Sequence, residues 1–166
     1  MKRDDAGMRI IMVCSGNICR SPAAEVVLRH KLDDAGITGV IVDSAGTGSW
    51  HEGDDADPRS RAAWERRGYA GRHTARQFLR AWFDERDLIL VMDAHNYETM
   101  LGRTHAPEHR AKVRYLRSFD PQLAGVEDTD ALEVPDPYYG GPQGFEHMLD
   151  LIEAACDGLI AELRVR

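Results

Sequence analysis

The order of short apolar segments and helical patterns limits the fold more than any other feature of this sequence. An apolar run at residues 9–14 ends in a Gly-containing turn, and a helical pattern follows at once, with Pro22 near its start and Gly36 at its end. Such a run is typical of a strand buried on both faces, and proline is favoured in the first turn of a helix. The beginning of the chain is therefore predicted to form a β-turn-α unit.

The alternation of strand and helix continues to the C-terminus. Further strands and helices are predicted in turn at residues 40–44, 58–67, 87–92, 94–101, 112–116 and 145–163. Strands that alternate with helices form a parallel sheet with right-handed crossovers. The predicted fold is α/β, a single domain with a four-stranded, parallel, doubly wound sheet flanked by helices on both faces.

Two stretches lack a regular pattern and are predicted to be loops, residues 45–57 and 120–144. Long loops in a compact domain are often functional. The charged residues 1–8 are predicted to be a disordered N-terminal tail, which leaves residues 9–166 as the domain.

Composition narrows the classes of function. The chain has 166 residues, of which 43% are hydrophobic, and no apolar segment reaches the length of a membrane span. A net charge of −7 argues against binding to nucleic acid or to acidic membranes. Three cysteines without a disulfide pattern predict free thiols and a cytoplasmic location. No metal or cofactor is expected, and the expected state is a monomer.

The turn after the first strand has the composition of an anion-binding loop. Five residues separate Cys14 from Arg20, and Ser21 follows. A loop of this length turns its N–H groups inward, and the next helix points its positive dipole end at the same place. The guanidinium of Arg20 is suited to bind two oxygens of one phosphate. We therefore expect phosphate or sulfate to bind here, at the carboxyl end of the sheet.

The same electrostatic field favours a thiolate at Cys14. A thiolate there is able to attack phosphorus and form a phosphocysteine, with the Ser21 hydroxyl supporting the sulfur. A free cysteine at the end of a buried strand is also compatible with an inert core position, and the β-turn-α context favours the catalytic interpretation.

Hydrolysis of a phosphate ester also requires an acid to protonate the leaving oxygen. Asp136 is a candidate because Pro135 and Pro137 stiffen the chain on either side of it. A simple turn explains the same pattern, since Asp and Pro are common turn residues. The residues alone leave the two interpretations open.

Residues 13–22 and 136–139 together resemble the two signature segments of the low-molecular-weight protein tyrosine phosphatase family. Further matching positions lie between them in the order and spacing of that family: residues 44–47, Trp50, 57–59, 73–77, 92–93 and Asn96. The resemblance covers nearly the whole chain from Arg9 onward. It implies hydrolysis of phosphotyrosine in protein substrates.

The resemblance also implies a role for each matching residue. Cys14 would be the nucleophile, Arg20 the phosphate clamp, and Asp136 the acid that protonates the tyrosyl oxygen and then activates water. Asn17, bonded to Ser44 and His73, would hold the loop, and Ser21 would support the sulfur. The other matching residues would line the cleft and contact the substrate: Ser15, Gly16, Ile18, Cys19, Trp50, Tyr138 and Tyr139.

Some of these cleft positions carry more specific expectations from the resemblance. Cys19 matches a thiol that traps the oxidised nucleophile as a reversible disulfide. Related arginine phosphatases have threonine at the position of Ile18, so isoleucine favours phosphotyrosine. Ser15 departs from the family, in which leucine or threonine is more common.

Independently of the resemblance, the segment at residues 51–55 carries three acidic residues beside Trp50. Their charge predicts that acidic neighbours of the phosphotyrosine are disfavoured.

Two alternative functions remain at this stage. An arsenate reductase shares the fold and the anion loop but needs a relay of additional cysteines, and residues 93–101 contain none. A catalytically silent phosphotyrosine-binding module needs the loop and Arg20 but has no use for the acid at Asp136.

Overall fold

A parallel sheet of four strands forms the centre of the fold in the computed structural model, which describes residues 7–165. The strands are β1 (Met8–Cys14), β2 (Val40–Gly46), β3 (Leu88–Val91) and β4 (Val113–Tyr115). Their order across the sheet is β2-β1-β3-β4, and each neighbouring pair is parallel. The predicted four-stranded parallel sheet is confirmed.

Helices cover both faces of the sheet, as predicted. They are α1 (Arg20–Asp34), α2 (Pro58–Arg66), α3 (Trp82–Glu85), α4 (Ala94–Leu101), α5 (Pro107–Arg110) and α6 (Pro142–Arg164). One core contains apolar residues of α1, α2 and α6, and the other contains residues of α3 and α4. Within residues 7–165, no helix combines the length and the apolar character needed to cross a membrane.

Burial on both faces explains why β1 reads as a continuous apolar run. Ile10 and Met12 contribute to the core under α1 and α6, whereas Ile11 and Val13 contribute to the core under α3 and α4. Successive side chains of a strand point to opposite faces, so a strand covered on both sides needs apolar residues at every position.

The structure corrects several predicted boundaries. The tail was predicted to reach residue 8, but Met8 pairs with Val40 and its N–H donates to the carbonyl of Gly39, so β1 begins one residue earlier. Residues 1–6 lie outside the described part of the chain. The strand β2 extends to Gly46, and α6 begins at Pro142, so the predicted loops are shorter. The two four-residue helices α3 and α5 were missed because a single turn leaves no periodic pattern.

Candidate active site

The anion-binding loop connects the last residue of β1 to the first residue of α1. Cys14 ends the strand and Arg20 begins the helix, so residues 15–19 form the connection. The chain continues from β1 to β2 on one side of the sheet and later to β3 on the other side. This change of direction opens a crevice at the carboxyl end of β1, where doubly wound sheets bind their ligands.

Asn17 holds the loop in its curled shape. Its φ of 59° lies in the left-handed region, which asparagine tolerates better than most residues. The side-chain Nδ2 donates to Ser21 Oγ at 2.8 Å and to Ser44 Oγ at 3.0 Å. Its Oδ1 accepts from the backbone N–H of Arg76 at 3.0 Å, and its carbonyl accepts from His73 Nε2 at 2.6 Å. Four groups from three parts of the chain therefore fix one loop residue.

The sulfur of Cys14 lies at the N-terminus of α1, beside donors from Ser21. The distance from Cys14 Sγ to Ser21 Oγ is 2.9 Å, and the backbone N–H of Ser21 donates to the sulfur at 3.4 Å. Cys14 is buried, with 3% of its surface exposed. Hydrogen-bond donors and the positive end of a helix dipole both favour negative charge at this sulfur.

The guanidinium of Arg20 is buried and fixed by partners behind the cleft. Its Nη1 donates to Asp93 Oδ2 at 2.6 Å and to the carbonyl of Val134 at 3.1 Å. Burial opposes the charge, but the negative groups of Cys14, Asp93 and Asp136 outweigh this and raise the pKa of Arg20. The Arg20 guanidinium is therefore always a cation, and its orientation is set by these partners.

Asp136 belongs to a loop that is anchored at the end of β3. The N–H of Val134 donates to the carbonyl of Met92 at 2.7 Å, next to that strand end. Asp136 Oδ2 lies 3.8 Å from Arg20 Nη2, and its Oδ1 accepts from the backbone N–H of Tyr138 at 3.0 Å. The carboxylate is half exposed. It lines the same open cleft as the loop at residues 15–19.

The cleft has a volume of about 370 Å³. Its lining contains the predicted nucleophile, clamp, acid and substrate-contact residues, together with one residue that was not predicted: Cys14, Ser15, Gly16, Ile18, Cys19, Arg20, Trp50, His51, Asp136, Tyr138 and Tyr139. The predicted supporting residues are absent from this lining and instead form the hydrogen-bond network described above: Asn17, Ser21, Ser44 and His73.

His51 is the lining residue that the sequence did not reveal. Its Nδ1 lies 3.2 Å from Asp54 Oδ2, and a Cβ atom added to Gly16 would come within 2.9 Å of its Cδ2. The imidazole therefore packs against the phosphate loop. In the sequence His51 is only the first residue of an acidic segment, and no signal there separates it from the solvated residues that follow.

Several residues that position the loop also come from distant parts of the chain. Ser44 Oγ donates to Glu25 Oε1 at 2.6 Å, and Asn96 Nδ2 donates to Ser15 Oγ at 3.1 Å. Asp93, the partner of Arg20, directly follows the residue after β3. A polar residue just beyond a buried strand was the available signal for Asp93, because carboxyl ends of parallel strands meet at one edge.

The described cysteines are free thiols, but only two of them line the cleft. Burial, and then the charge of Asp57, raise the pKa of Cys19, so this thiol stays protonated. Cys156 lies in the core between α6 and its neighbours, where burial raises its pKa to about 12. The interpretation of Cys156 as a core residue agrees with this position.

Comparison with known proteins assigns the family. The model of the low molecular weight phosphotyrosine protein phosphatase family matches residues 9–166. The chain belongs to this family. The resemblance carried by the two signature segments is thereby confirmed over almost the whole chain.

Known low molecular weight phosphatases resemble the chain over nearly their full length. A low molecular weight protein-tyrosine-phosphatase of Streptomyces coelicolor is 50% identical, over 94% of this chain and 93% of that protein. Low molecular weight protein-tyrosine phosphatase A of Mycobacterium tuberculosis is 39% identical, over 92% and 89%. A protein tyrosine phosphatase of Entamoeba histolytica, crystallised with Hepes in its active site, has a TM-score of 0.86 at 40% identity and covers 95% of this chain and 97% of that one.

Arginine phosphatases share the same fold. The Drosophila arginine phosphatase has a TM-score of 0.82 at 28% identity, over 94% of this chain and 98% of that one. The fold of the family therefore serves more than one phosphorylated substrate, and the cleft residues must decide between them.

Proposed function

We propose that the protein hydrolyses phosphotyrosine in protein substrates through a phosphocysteine intermediate. The observation that carries the proposal is the arrangement of three groups around one cleft: the sulfur of Cys14, the guanidinium of Arg20 and the carboxylate of Asp136. Arg20 is buried behind the loop, and Asp136 stands 3.8 Å from it on the open side. These are the positions that a nucleophile, a phosphate clamp and an acid require.

In the first step, the thiolate of Cys14 attacks phosphorus from the floor of the cleft. A sulfur–phosphorus bond forms while the bond from phosphorus to the tyrosyl oxygen breaks, and protonated Asp136 gives its proton to the departing oxygen. Arg20 and the loop N–H groups bind the other phosphate oxygens as charge develops on them. The products of this step are tyrosine and phosphocysteine.

In the second step, water attacks the phosphocysteine. Asp136, now a carboxylate, accepts a proton from the water as the oxygen–phosphorus bond forms and the sulfur–phosphorus bond breaks. The Ser21 hydroxyl lies 2.9 Å from Cys14 Sγ, which supports its proposed role in stabilising the departing thiolate. Phosphate is released and the enzyme returns to its starting state.

The lining of the cleft supports an aromatic phosphate ester as substrate. Trp50, Tyr138 and Tyr139 offer aromatic surfaces above the loop, and the rings of the two tyrosines are 4.9 Å apart in an edge-to-face arrangement. A phenyl ring that stands on its phosphate fits between such faces. Ile18 supports the same choice against phosphoarginine, since it adds an apolar side chain where the resemblance associates threonine with arginine phosphatases.

No specific observation favours either of the two alternative functions, arsenate reduction or phosphotyrosine binding without catalysis. Cys156 is a fully buried free thiol in the core, which disfavours the cysteine relay that arsenate reduction requires. Asp136 faces Arg20 across the cleft, which a silent binding module would not require. We further propose that the protein acts as a monomer on phosphoproteins in the cytoplasm, where thiols stay reduced.

Hydrolysis of p-nitrophenyl phosphate and of a phosphotyrosyl peptide tests the proposal. The wild-type protein should hydrolyse both, and Cys14→Ser should lower turnover by about 10⁴-fold or more because the nucleophile is lost. A rapid quench should trap phosphate as phosphocysteine on the wild-type protein, and phosphocysteine should be absent from Cys14→Ser. Cys156→Ser is the matched control, and its turnover should remain close to wild type.

Three outcomes would contradict the proposal. The first is full activity in Cys14→Ser, which would show that Cys14 is not the nucleophile. The second is the absence of hydrolysis in the wild type, which would favour a binding module. The third is faster turnover of phosphoarginine than of phosphotyrosine.

A further inference from the structure

The indole of Trp50 extends from one glycine to another beside the cleft. Its six-membered ring lies over Gly48, where an added Cβ atom would come within 1.4 Å of Cζ3 and 2.1 Å of Cε3. A Cβ atom added to Gly16 would lie 3.6 Å from Nε1, so the other edge of the indole reaches the catalytic loop. The indole therefore occupies the space that a side chain at position 48 would fill.

The backbone conformation of Gly48 does not itself require glycine. Within residues 7–165, Gly48 is not one of the glycines with a positive φ. This φ is open to an L-residue, and the obstacle to a side chain at position 48 is the indole of Trp50.

Hydrogen bonds hold the chain in place on the N-terminal side of Gly48. The N–H of Gly48 donates to the carbonyl of Ser15 at 3.0 Å, and the N–H of Thr47 donates to the carbonyl of Cys14 at 2.8 Å. The carbonyl of Thr47, in the same peptide unit as the Gly48 N–H, accepts from Arg103 Nη2 at 2.6 Å. A backbone shift away from an added Cβ atom would disrupt these bonds, two of which reach the nucleophile and the loop residue after it.

The side chain of Trp50 is held much less firmly than this backbone. Trp50 is 65% exposed, and its described ring contact is with His51, at a centroid distance of 6.4 Å and a tilt of 54°. Exposed side chains turn readily between rotamers. A methyl group at position 48 should therefore displace the indole and leave the backbone in place.

Gly46, two residues earlier, allows a different close approach. A Cβ atom there would come within 2.8 Å of the carbonyl oxygen of Ser15 and 3.1 Å of the carbonyl carbon of Gly16, both backbone atoms of the loop. The lack of a side chain at position 46 lets β2 approach the loop itself. The lack of one at position 48 instead gives room to an aromatic ring that lines the cleft.

We propose that Gly48 is a positioning residue for substrate binding, because it holds the Trp50 indole where the indole contacts the aromatic ring of phosphotyrosine. The inference rests on the proposed function and adds a determinant of the preference for aromatic phosphate esters. Aromatic pairs contribute about 0.5–1.5 kcal/mol beyond the burial of their surface. The phosphate group binds to the loop and to Arg20, so position 48 affects binding of the substrate ring and not of phosphate.

Gly48→Ala tests this inference. For a phosphotyrosyl peptide, kcat/KM should fall by about 3–10-fold through a higher KM, with kcat within twofold of wild type. The inhibition constant of inorganic phosphate should be unchanged, because phosphate has no ring to contact the indole. Unchanged inhibition also shows that the loop of the variant is native.

A double-mutant cycle with Trp50→Ala separates an effect on the indole from an effect on the loop. Trp50→Ala alone should lower kcat/KM for the peptide at least as much as Gly48→Ala does. Once the indole is absent, adding Gly48→Ala should change kcat/KM by less than twofold, since the methyl group then has nothing to displace.

Gly102→Ala is the matched control. Gly102 is an exposed glycine at the end of α4, and a Cβ atom added there would lie no closer than 3.4 Å to its neighbours. This variant should keep the wild-type KM and kcat, which shows that a change from glycine to alanine has no general effect on binding.

The possible outcomes separate this inference from the proposed function. An unchanged kcat/KM in Gly48→Ala would overturn the role of Gly48 while leaving the phosphatase intact. An undiminished further loss in the double variant, or weaker inhibition by phosphate in Gly48→Ala, would also overturn it, because position 48 would then act through the loop. Failure of the wild type to hydrolyse the peptide and p-nitrophenyl phosphate would instead refute the proposed function.

Discussion

The two sides of the cleft are built in opposite ways. On the loop side, Asn17, Ser21 and Ser44 are each at most 2% exposed, and their side chains all bond within one network. On the other side, the Asp136 side chain is 52% exposed and Tyr139 is 95% exposed. Buried, fully bonded groups are the hardest to displace, and exposed groups with few contacts adapt most easily. The cleft therefore combines a fixed anion site with an adaptable wall for the substrate.

After loss of the nucleophile itself, the largest expected effect comes from the fixed side. Arg20→Lys keeps the positive charge but replaces a planar fork by a point charge, so one of the two contacts to the phosphate is lost. We expect kcat/KM for p-nitrophenyl phosphate to fall by about 10³-fold. Arg72→Lys is the control and should change kcat/KM by less than twofold. A fall of under tenfold in Arg20→Lys would show that charge alone, without geometry, binds the phosphate.

Asp136→Ala tests the exposed side of the same comparison. Loss of the acid should lower kcat for phenyl phosphate by about 10²-fold, and by less for p-nitrophenyl phosphate, whose leaving group needs less protonation. Inhibition by inorganic phosphate should persist, because the loop and Arg20 are intact. The free energy of unfolding should change by about 0.5 kcal/mol or less, since the side chain is half exposed. Equal losses for the two esters would place the acid elsewhere.

The titration of His73, on the fixed side of the cleft, makes the stability of the protein depend on pH. Burial lowers the pKa of His73, although its bond to the carbonyl of Asn17 acts in the opposite direction. The unfolded chain then binds the proton more readily, so stability falls as the pH drops below about 6.5 and levels off below the pKa of the folded state. His73→Asn should cost about 1 kcal/mol at pH 7.5 and should flatten the decline.

Urea unfolding of the wild type and His73→Asn at pH 5, 6 and 7.5 measures this difference. Asparagine is chosen because it keeps a donor for the Asn17 carbonyl but does not titrate in this range. Parallel curves for the two proteins would contradict the assignment of the pH dependence to His73. His105→Asn, at an exposed histidine, provides the control and should follow the wild type.

The smallest effect is expected at the outer edge of the adaptable wall. Tyr139→Ala removes an almost fully exposed ring whose described ring contact is with Tyr138. KM for a phosphotyrosyl peptide should rise by about two- to threefold with kcat unchanged. Trp50→Ala should have a larger effect on KM, because Trp50 is less exposed at 65%. A large fall in kcat for Tyr139→Ala would show that this wall is part of the fixed site.

The long elements of the fold were predictable because their patterns are local. The apolar run of β1, the proline near the start of α1 and the stripe of α6 each occupy one continuous segment, and the alternation of strands and helices gave the parallel sheet. The single-turn helices α3 and α5 were not predictable, since four residues carry no period. The strands β3 and β4 were predicted one residue too long at each end. Asp87 and Lys112 still form backbone hydrogen bonds to a neighbouring strand, and the apolar residues Met92 and Leu116 continue the strand pattern.

The site was predictable only in part, for the same physical reason. Cys14, Arg20 and Ser21 lie in one short segment, so their spacing indicates an anion loop. Asp136 lies more than a hundred residues away, and only the resemblance favoured its interpretation as the acid over a simple turn. The fold also brings residues that are distant in sequence next to the loop or to its clamp: Asp93, Arg76 and His51. No local pattern in the sequence specifies which distant side chain completes a given hydrogen bond.

The left-handed backbone of Asn17 has a consequence for folding. Its restraints come from Ser44 at the end of β2, from the segment of His73 and Arg76, and from Ser21 in α1. A partly assembled chain that lacks any one of these elements cannot keep the curl, because the missing hydrogen bonds no longer offset the conformational energy of the left-handed backbone. Recovery of turnover after dilution from denaturant should therefore coincide with the last tertiary docking event and should lag behind the return of helical content. Activity in this molecule reports on completion of the native topology.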